Sequence, residues 1–129
     1  MRVELTRFRL LAGKEARAAE WIEFLRAHPR EFLETLEPEQ MYVETIFREV
    51  QDGVTYLSWY SVQGDGAQPV EESSHWFDQK HIEFWDECID PTYRPVDLIT
   101  ELTAIPERVL ATMKPIAHST GSRATSTRR

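Results

Sequence analysis

The sequence predicts an α+β fold of the ferredoxin-like type, with one antiparallel sheet and helices on one of its faces. Stretches with strand-like alternation and stretches with helical periodicity follow one another in the order β-α-β-β-α-β, and a short helix follows the last strand. The 129 residues are 41% hydrophobic and 29% charged, which suits a single domain with its own core. We expect this domain to span residues 1–113, followed by a flexible basic tail rich in Ser, Thr and Arg over residues 114–129.

The first two elements are a strand and a helical region interrupted by a proline. Residues 2–10 alternate as a strand does, and Ala12-Gly13 supplies the turn after it. A helical period begins at Lys14, and its apolar stripe consists of Ala18, Trp21, Ile22 and Leu25. Pro29 disfavours helix at the residue before it, so the helix either kinks there or restarts with Pro29 in its first turn. The stripe then continues through Phe32, Leu33 and Leu36.

The next two elements form a predicted β-hairpin. Met41–Val50 and Val54–Gln63 are both rich in β-forming residues, and Gln51-Asp52-Gly53 joins them. An Asp-Gly pair between two such runs is a strong hairpin signal, because these residues accept the positive φ angles of a tight turn. A polar loop that contains glycine follows over residues 64–69.

The second long helix is predicted between the hairpin and the last strand. Ser73 or Ser74 is expected to cap it, and it runs to about Cys88, before Asp90-Pro91. Its apolar side consists of Phe77, His81, Phe84, Trp85 and Cys88.

The last predicted strand covers residues 96–105, and Pro106 opens a short helix through about Met113. The third strand places Tyr56 and Tyr60 on one face, and Leu57 and Trp59 on the other. The fourth strand places Val96, Leu98 and Leu102 against Ile99 and Ile105. Both faces of the sheet are therefore apolar, and two helices cover only one of them. We expect a second copy of the chain to cover the other face, as a homodimer.

Charge and cysteine content narrow the choice of partners and compartment. The first 113 residues carry 11 basic and 22 acidic side chains, a net charge of −11. Such a body repels phosphate backbones and anionic lipids, which argues against nucleic acid and membrane partners. Cys88 is the single cysteine, and no apolar signal segment opens the chain, so we expect a cytoplasmic protein. Cys88 is interpreted as a core residue, since the C-terminal end of a helix disfavours a thiolate.

The spacing His75-x-x-Asp78-x-x-His81 combines residue types that bind metals. Helical metal sites usually place two imidazoles at i and i+4, whereas the three side chains here spread over about 120° of the helix surface. The simpler interpretation is a surface His75–Asp78 pair and one buried histidine. We therefore predict no metal site and no cofactor.

His81 lies between Phe77 and Phe84 on the apolar side of its helix and is expected to face the sheet. A buried imidazole needs a hydrogen-bond partner, and strand tyrosines or carboxylates are the candidates. Its role is either structural, within the core, or functional, as a general base or a haem ligand.

Polar side chains on the strands predict a small-molecule pocket between the sheet and the helices. Tyr42 and Glu44 share one face of the second strand, as Tyr56 and Tyr60 do on the third. The candidate catalytic residues are His81, Glu44 and Tyr60. The candidate binding residues are Tyr42, Tyr56, Trp59, Arg48, His75 and Trp85. For Glu44 and Arg48 the alternative is an ordinary surface ion pair along the strand.

Four strings carry a resemblance to a known family: MYVETIFRE at residues 41–49, YSVQGDG at 60–66, HIEFWDECID at 81–90 and RPVD at 94–97. They resemble a bacterial domain-of-unknown-function family, number 6176, and the likeness spans residues 2–113. The resemblance implies the architecture of the dimeric α+β barrel group, which includes antibiotic-biosynthesis monooxygenases, stress-responsive barrel proteins and haem-degrading enzymes. Members of that group often hold a pocket between the sheet and the helices. No catalytic motif of those enzymes occurs in this sequence, so no site residue is carried over.

Two functions are therefore expected. The first is a homodimer that binds a small, partly apolar molecule between sheet and helices, as a cofactor-independent oxygenase or isomerase. The second is a non-catalytic stress or regulatory homodimer without a small-molecule site. A pocket lined by His81 and polar strand residues favours the first, whereas a pocket filled by Trp59, Trp76 or Trp85 favours the second.

Overall fold

A computed structural model describes residues 1–65, 70 and 73–113 of the chain. The elements found in these ranges are β1 (Arg2–Arg9), α1 (Glu15–Ala27), α2 (Pro29–Leu36), β2 (Met41–Gln51), β3 (Val54–Gln63), α3 (Trp76–Cys88), β4 (Val96–Asp97) and α4 (Glu107–Leu110). The predicted tail lies outside the described residues, as does most of the predicted loop after β3. Among the described helices, none is long and apolar enough to cross a membrane.

The strands form one sheet in the order β2-β3-β1-β4, and every neighbouring pair is antiparallel. This order and the succession of elements confirm the predicted ferredoxin-like α+β fold. The Asp52-Gly53 turn between β2 and β3 is also confirmed, since both residues have positive φ angles, 51° and 76°.

The core lies between one face of the sheet and the helices. In the register of β1 and β3, Thr6 is opposite Trp59 and Phe8 is opposite Leu57, and these four side chains are buried. The helices contribute Ala18, Trp21, Leu25, Phe77, Phe84 and Cys88 to the same core. Cys88 is fully buried, as predicted, and burial raises the pKa of its thiol.

The predicted break at Pro29 is a restart of the helix. His28 has non-helical backbone angles (φ −126°, ψ 59°) and separates α1 from α2, which begins with Pro29 in its first turn. This position suits proline because the first amides of a helix have no partner inside it.

The cap of α3 differs from the prediction. His75, rather than Ser73 or Ser74, is the N-cap residue, and its Nδ1 accepts a hydrogen bond from the Phe77 amide at 3.1 Å. The Ser73 hydroxyl oxygen instead accepts from the amide of His75 at 3.1 Å. A histidine can cap a helix because an unprotonated ring nitrogen is an acceptor, although hydroxyl and carboxylate caps are commoner.

The prediction of a fourth strand over residues 96–105 is wrong in its length. Val96 and Asp97 pair with β1, opposite Arg7 and Thr6, and the Leu98 amide then donates to the Leu5 carbonyl at 2.9 Å. Beyond them the chain still follows β1, but the Thr100 hydroxyl, rather than a backbone amide, donates to the Val3 carbonyl at 2.8 Å. The backbone ladder therefore ends, and large apolar side chains of this segment are exposed. Ile99 and Leu102 are 83% and 86% exposed.

Candidate functional site

His81 and Trp21 meet in the centre of the core. Trp21 is fully buried and His81 is 2% exposed, and the indole Nε1 donates a hydrogen bond to His81 Nδ1 at 3.0 Å. The sequence predicted a strand tyrosine or carboxylate as the partner of His81. The described partner instead belongs to α1, because α3 packs against α1 as well as against the sheet, where Trp85 contacts Phe8 and Trp59.

This bond determines which nitrogen of His81 carries the hydrogen. An indole N–H only donates, so Nδ1 must be the unprotonated nitrogen and Nε2 carries the hydrogen of the neutral ring. The imidazole is therefore held in one tautomer and in one orientation. A second proton on the ring would remove the acceptor that Trp21 needs.

Indole rings fill much of the space beside His81. The ring centroids of Trp59 and Trp85 are 5.1 Å apart, and those of Trp21 and Trp59 are 5.6 Å apart. Both Trp59 and Trp85 are buried, whereas Trp76 is half exposed at the start of α3. Two of the three tryptophans named as pocket fillers thus occupy the core around the candidate base.

Trp59 links this aromatic centre to Glu44 on the neighbouring strand. Its indole Nε1 donates to Glu44 Oε2 at 2.9 Å. In the register of β2 and β3, Glu44 is opposite Ser61 and lies on the helix side of the sheet. The carboxylate is held at the margin of the core by a donor that is itself rigidly packed.

Glu44 lines an open cavity of about 440 Å³ between β2 and the two N-terminal helices, which we call the α1–α2 groove. Its lining consists of Ile22, Leu25, Arg26, Pro29, Phe32, Leu33, Leu36, Glu44, Thr45 and Ile46. Seven of these residues are apolar, and Arg26, Glu44 and Thr45 are the polar ones. The volume lies within the range of small-molecule sites, roughly 300–1,000 Å³.

A second cavity of about 560 Å³ adjoins the groove along β2 and α1. It shares Ile22, Arg26 and Ile46 with the groove, and Arg48 lies in its wall. Of the candidate residues, Glu44 and Arg48 therefore line two connected cavities on the helix side.

The structure places Tyr56 and Tyr60 on the opposite face of the sheet. Tyr60 is paired with Leu5 and Thr45, and so it is separated from His81 by the sheet itself. Tyr56 packs against Tyr93, with ring centroids 5.7 Å apart, and the Arg7 guanidinium lies over its ring. The structure thus does not bring these tyrosines together with Glu44 and His81.

Tyr42 and His75 lie outside the lining of both cavities. Tyr42 is at the irregularity that begins β2, and its ring lies so close to Gly64 that a β-carbon there would be 2.7 Å from the Tyr42 hydroxyl. Burial and the nearby Asp65 raise the pKa of this phenol. His75, besides capping α3, contacts Glu34 through Nε2 at 3.1 Å.

Sequence reasoning missed Trp21, Arg26 and Ile46 as site residues. Trp21 was placed in the apolar stripe of α1, but its N–H needs a buried acceptor, and this requirement was the available signal. It also missed a polar cluster on the helix side of the sheet, where Gln63 donates to Glu4 at 3.0 Å and to Ser61 at 2.9 Å. Burial raises the pKa of Glu4, and Arg2 and Gln63 partly oppose this effect.

The His75-x-x-Asp78-x-x-His81 spacing does not form a metal centre in the described part of the chain. No group of three His, Cys, Asp or Glu side chains there is placed to hold a metal ion. The interpretation of His75 and Asp78 as a surface pair is wrong, because Asp78 is buried, as His81 is, while His75 caps α3 and contacts Glu34.

Comparison with known proteins defines the family. The family described as "Family of unknown function (DUF6176)" matches residues 1–111, so the chain belongs to this family. Among curated proteins no relative was found. A crystal structure of an L-rhamnose mutarotase from Formosa agariphila is similar in fold, with a TM-score of 0.52 and 14% sequence identity. The similarity covers 82% of this chain and 100% of the mutarotase chain.

Proposed function

We propose that this member of the family is a small-molecule isomerase without a resident cofactor, and that its ligand binds in the α1–α2 groove. The observation that carries the proposal is the position of Glu44. Glu44 lines the 440 Å³ groove, and its carboxylate accepts a hydrogen bond from the Trp59 indole at 2.9 Å. Glu44 is assigned the role of the group that takes a proton from the ligand and returns it elsewhere.

The surroundings of Glu44 suit proton transfer. A general base must be held within hydrogen-bond reach of its substrate and protected from competing water. The Trp59 bond restricts the Glu44 rotamer, and the apolar walls of the groove exclude water once a ligand fills it. His81 supports the arrangement indirectly, because it orients Trp21, which packs against Trp59.

The structural neighbour supports the reaction class. A mutarotase is an isomerase, and isomerisation by proton transfer needs no metal or redox group. The similarity is one of fold, and the substrate of this chain is argued below from its own groove. Of the two reaction classes expected from the sequence, isomerisation is the one that a carboxylate in an apolar groove serves directly.

Ligand-detected NMR with a diverse set of small molecules tests the groove. We expect binders that are displaced when Ile46→Trp fills the cavity, and whose affinity changes little in Glu44→Gln. The matched control is Val50→Trp, at an exposed position further along the same face of β2 that lines neither cavity. Binding that survives Ile46→Trp would place the ligand elsewhere and contradict the proposal.

We further propose that the protein is a cytoplasmic homodimer formed through the helix-free face of its sheet. Large apolar side chains on this face and on the segment after β4 are exposed, namely Val43, Phe47, Val96, Leu98, Ile99 and Leu102. Monomeric proteins rarely expose large contiguous apolar patches, and six such side chains on this side of the protein favour an interface. A second copy is the simplest partner because a two-fold axis pairs the face with itself.

The same surface supports a second candidate function, a non-catalytic regulatory or stress homodimer. Trp59 and Trp85 fill the space beside His81, which is the arrangement expected if the core is purely structural. The groove distinguishes the two candidates, since a non-catalytic dimer needs neither a bound ligand nor Glu44. If the protein dimerises but no ligand is displaced by Ile46→Trp, the result favours the non-catalytic homodimer over the isomerase.

A further inference from the structure

We infer that the substrate of the α1–α2 groove is a largely apolar carbonyl compound, isomerised through its enolate, rather than a sugar. This inference rests on the proposed function and specifies its substrate. Two features of the groove support it: the composition of its walls, and the presence of Glu44 and Arg26 in the lining of the same cavity.

The walls of the groove do not suit a polyol. An aldose carries a hydroxyl group on nearly every carbon, and each buried hydroxyl needs a hydrogen-bond partner. Seven of the ten lining residues are apolar, and the polar ones lie at Arg26, Glu44 and Thr45. The groove therefore offers hydrogen-bond partners to few hydroxyl groups, but its apolar walls can cover a hydrocarbon ring or chain.

The two charged residues provide the two groups that enolisation needs, a base for the proton and a cation for the oxyanion. Glu44 supplies a carboxylate, and Arg26 supplies a guanidinium to the same groove. Arg26 is paired with Glu23 at 3.3 Å, but both side chains are 71% exposed, so this pair is weak and the guanidinium is able to turn towards a ligand. A cation beside a developing oxyanion stabilises it, while a carboxylate removes the proton from the adjacent carbon.

The reaction is a proton shift that conserves every atom and electron. Glu44 takes a proton from the carbon next to the carbonyl, and the C–H electron pair forms the C=C bond of the enolate. The carbonyl π pair moves to the oxygen, beside Arg26. Glu44 then returns the same proton to the γ-carbon, where the electron pair of the β,γ double bond forms the new C–H bond. An oxygen pair re-forms the carbonyl, the enolate C=C pair becomes the α,β double bond, and the β,γ-unsaturated ketone is converted to its conjugated isomer.

The substrate test compares two probes on the same protein. The first is β,γ-cyclohexenone, whose conversion to the conjugated enone is followed by ultraviolet absorbance. The second is L-rhamnose, whose anomer exchange is followed by NMR. We expect accelerated enone formation with wild type, a loss of about a hundredfold in Glu44→Gln, and no acceleration of anomer exchange. Arg26→Gln should lower kcat more than it changes KM, whereas Arg30→Gln, outside both cavities, should match wild type.

The outcomes separate this inference from the proposed function. Acceleration of anomer exchange that depends on Glu44, with no enone formed, would overturn the substrate class and leave the isomerase intact. Enone formation that Glu44→Gln does not reduce would show ordinary surface catalysis and overturn the inference. Absence of both reactions, together with no ligand displaced by Ile46→Trp, would overturn the inference and the proposed function together.

Discussion

Trp21 in α1 and His81 in α3 are joined by a buried hydrogen bond of 3.0 Å between indole Nε1 and imidazole Nδ1. The bond connects the two long helices above the middle of the sheet. At the surface, the Arg17–Glu87 ion pair connects the same helices at 2.9 Å. The buried bond is the more costly to break, because neither of its polar groups has access to water.

Replacing His81 with alanine should lower the free energy of unfolding by about 2–3 kcal/mol, since it leaves the Trp21 N–H without its acceptor and opens a cavity. Urea denaturation measures the loss. His81→Gln is the control, because its amide oxygen is able to accept from the indole, and it should lose less than His81→Ala. Equal losses in the two variants would show that the hydrogen bond contributes little and that packing dominates.

Replacing His75 with alanine should cost about 1 kcal/mol, because the Phe77 amide loses its cap. This is larger than expected for an exposed surface histidine, and the difference comes from the 3.1 Å capping bond. His75→Asn, which retains a good N-cap, should be close to wild type in thermal denaturation. If His75→Ala and His75→Asn lose the same stability, the cap is not the cause.

Asp90 should make the protein sensitive to acid. Hydrogen bonds from the side chain and backbone of Thr92, and then from Arg9, lower the pKa of this carboxyl from 3.8 to about 2. Because the folded pKa lies below the unfolded value, the stabilisation is complete above about pH 4 and is lost as the pH falls towards 2.

Thermal unfolding between pH 5 and about 2 tests this expectation. In a plot of melting temperature against pH, Asp90→Asn should remove much of the fall at the acid end of this range. Thr92→Val should remove part of it. A curve for Asp90→Asn that is parallel to wild type would show that another carboxyl is responsible for the acid sensitivity.

Phe47 should be essential to the proposed dimer. It is 55% exposed on the helix-free face of the sheet, and Phe47→Glu would place a charge where apolar surfaces meet. Sedimentation at micromolar concentration should give twice the 15.1 kDa chain mass for wild type and a monomer for the variant. Leu33→Glu, an exposed apolar position on α2, should remain dimeric. A monomeric wild type would contradict the dimer directly.

Local sequence patterns predicted most of the fold. The helix restart at Pro29 and the hairpin turn at Asp52-Gly53 follow from backbone constraints within a few residues. The sequence predicts a serine N-cap for α3 because hydroxyl caps are commoner, whereas a histidine cap has no strong local signal. The fourth strand was extended to Ile105 because its residues alternate, although alternation does not show whether a backbone partner is present.

The candidate site was predicted in part. Glu44 and Arg48 were chosen from the alternation of β2, and both line the helix-side cavities. Tyr60 was chosen for its chemistry, but its place in the register with Leu5 puts it on the other face. The sequence shows which residues of one strand share a face of the sheet. Which of the two faces lies under the helices follows only from how that strand pairs with its neighbours.

The sequence by itself determined the order and type of the elements, because periodicity, turn chemistry and proline geometry act over short distances. Only the tertiary structure decided that Trp21 is the partner of His81, that Trp59 holds Glu44, and that Glu44 faces a groove. These relationships depend on how the side chains of the sheet and of the helices above it fit together at close packing, and that fit is determined by residues far apart in the sequence.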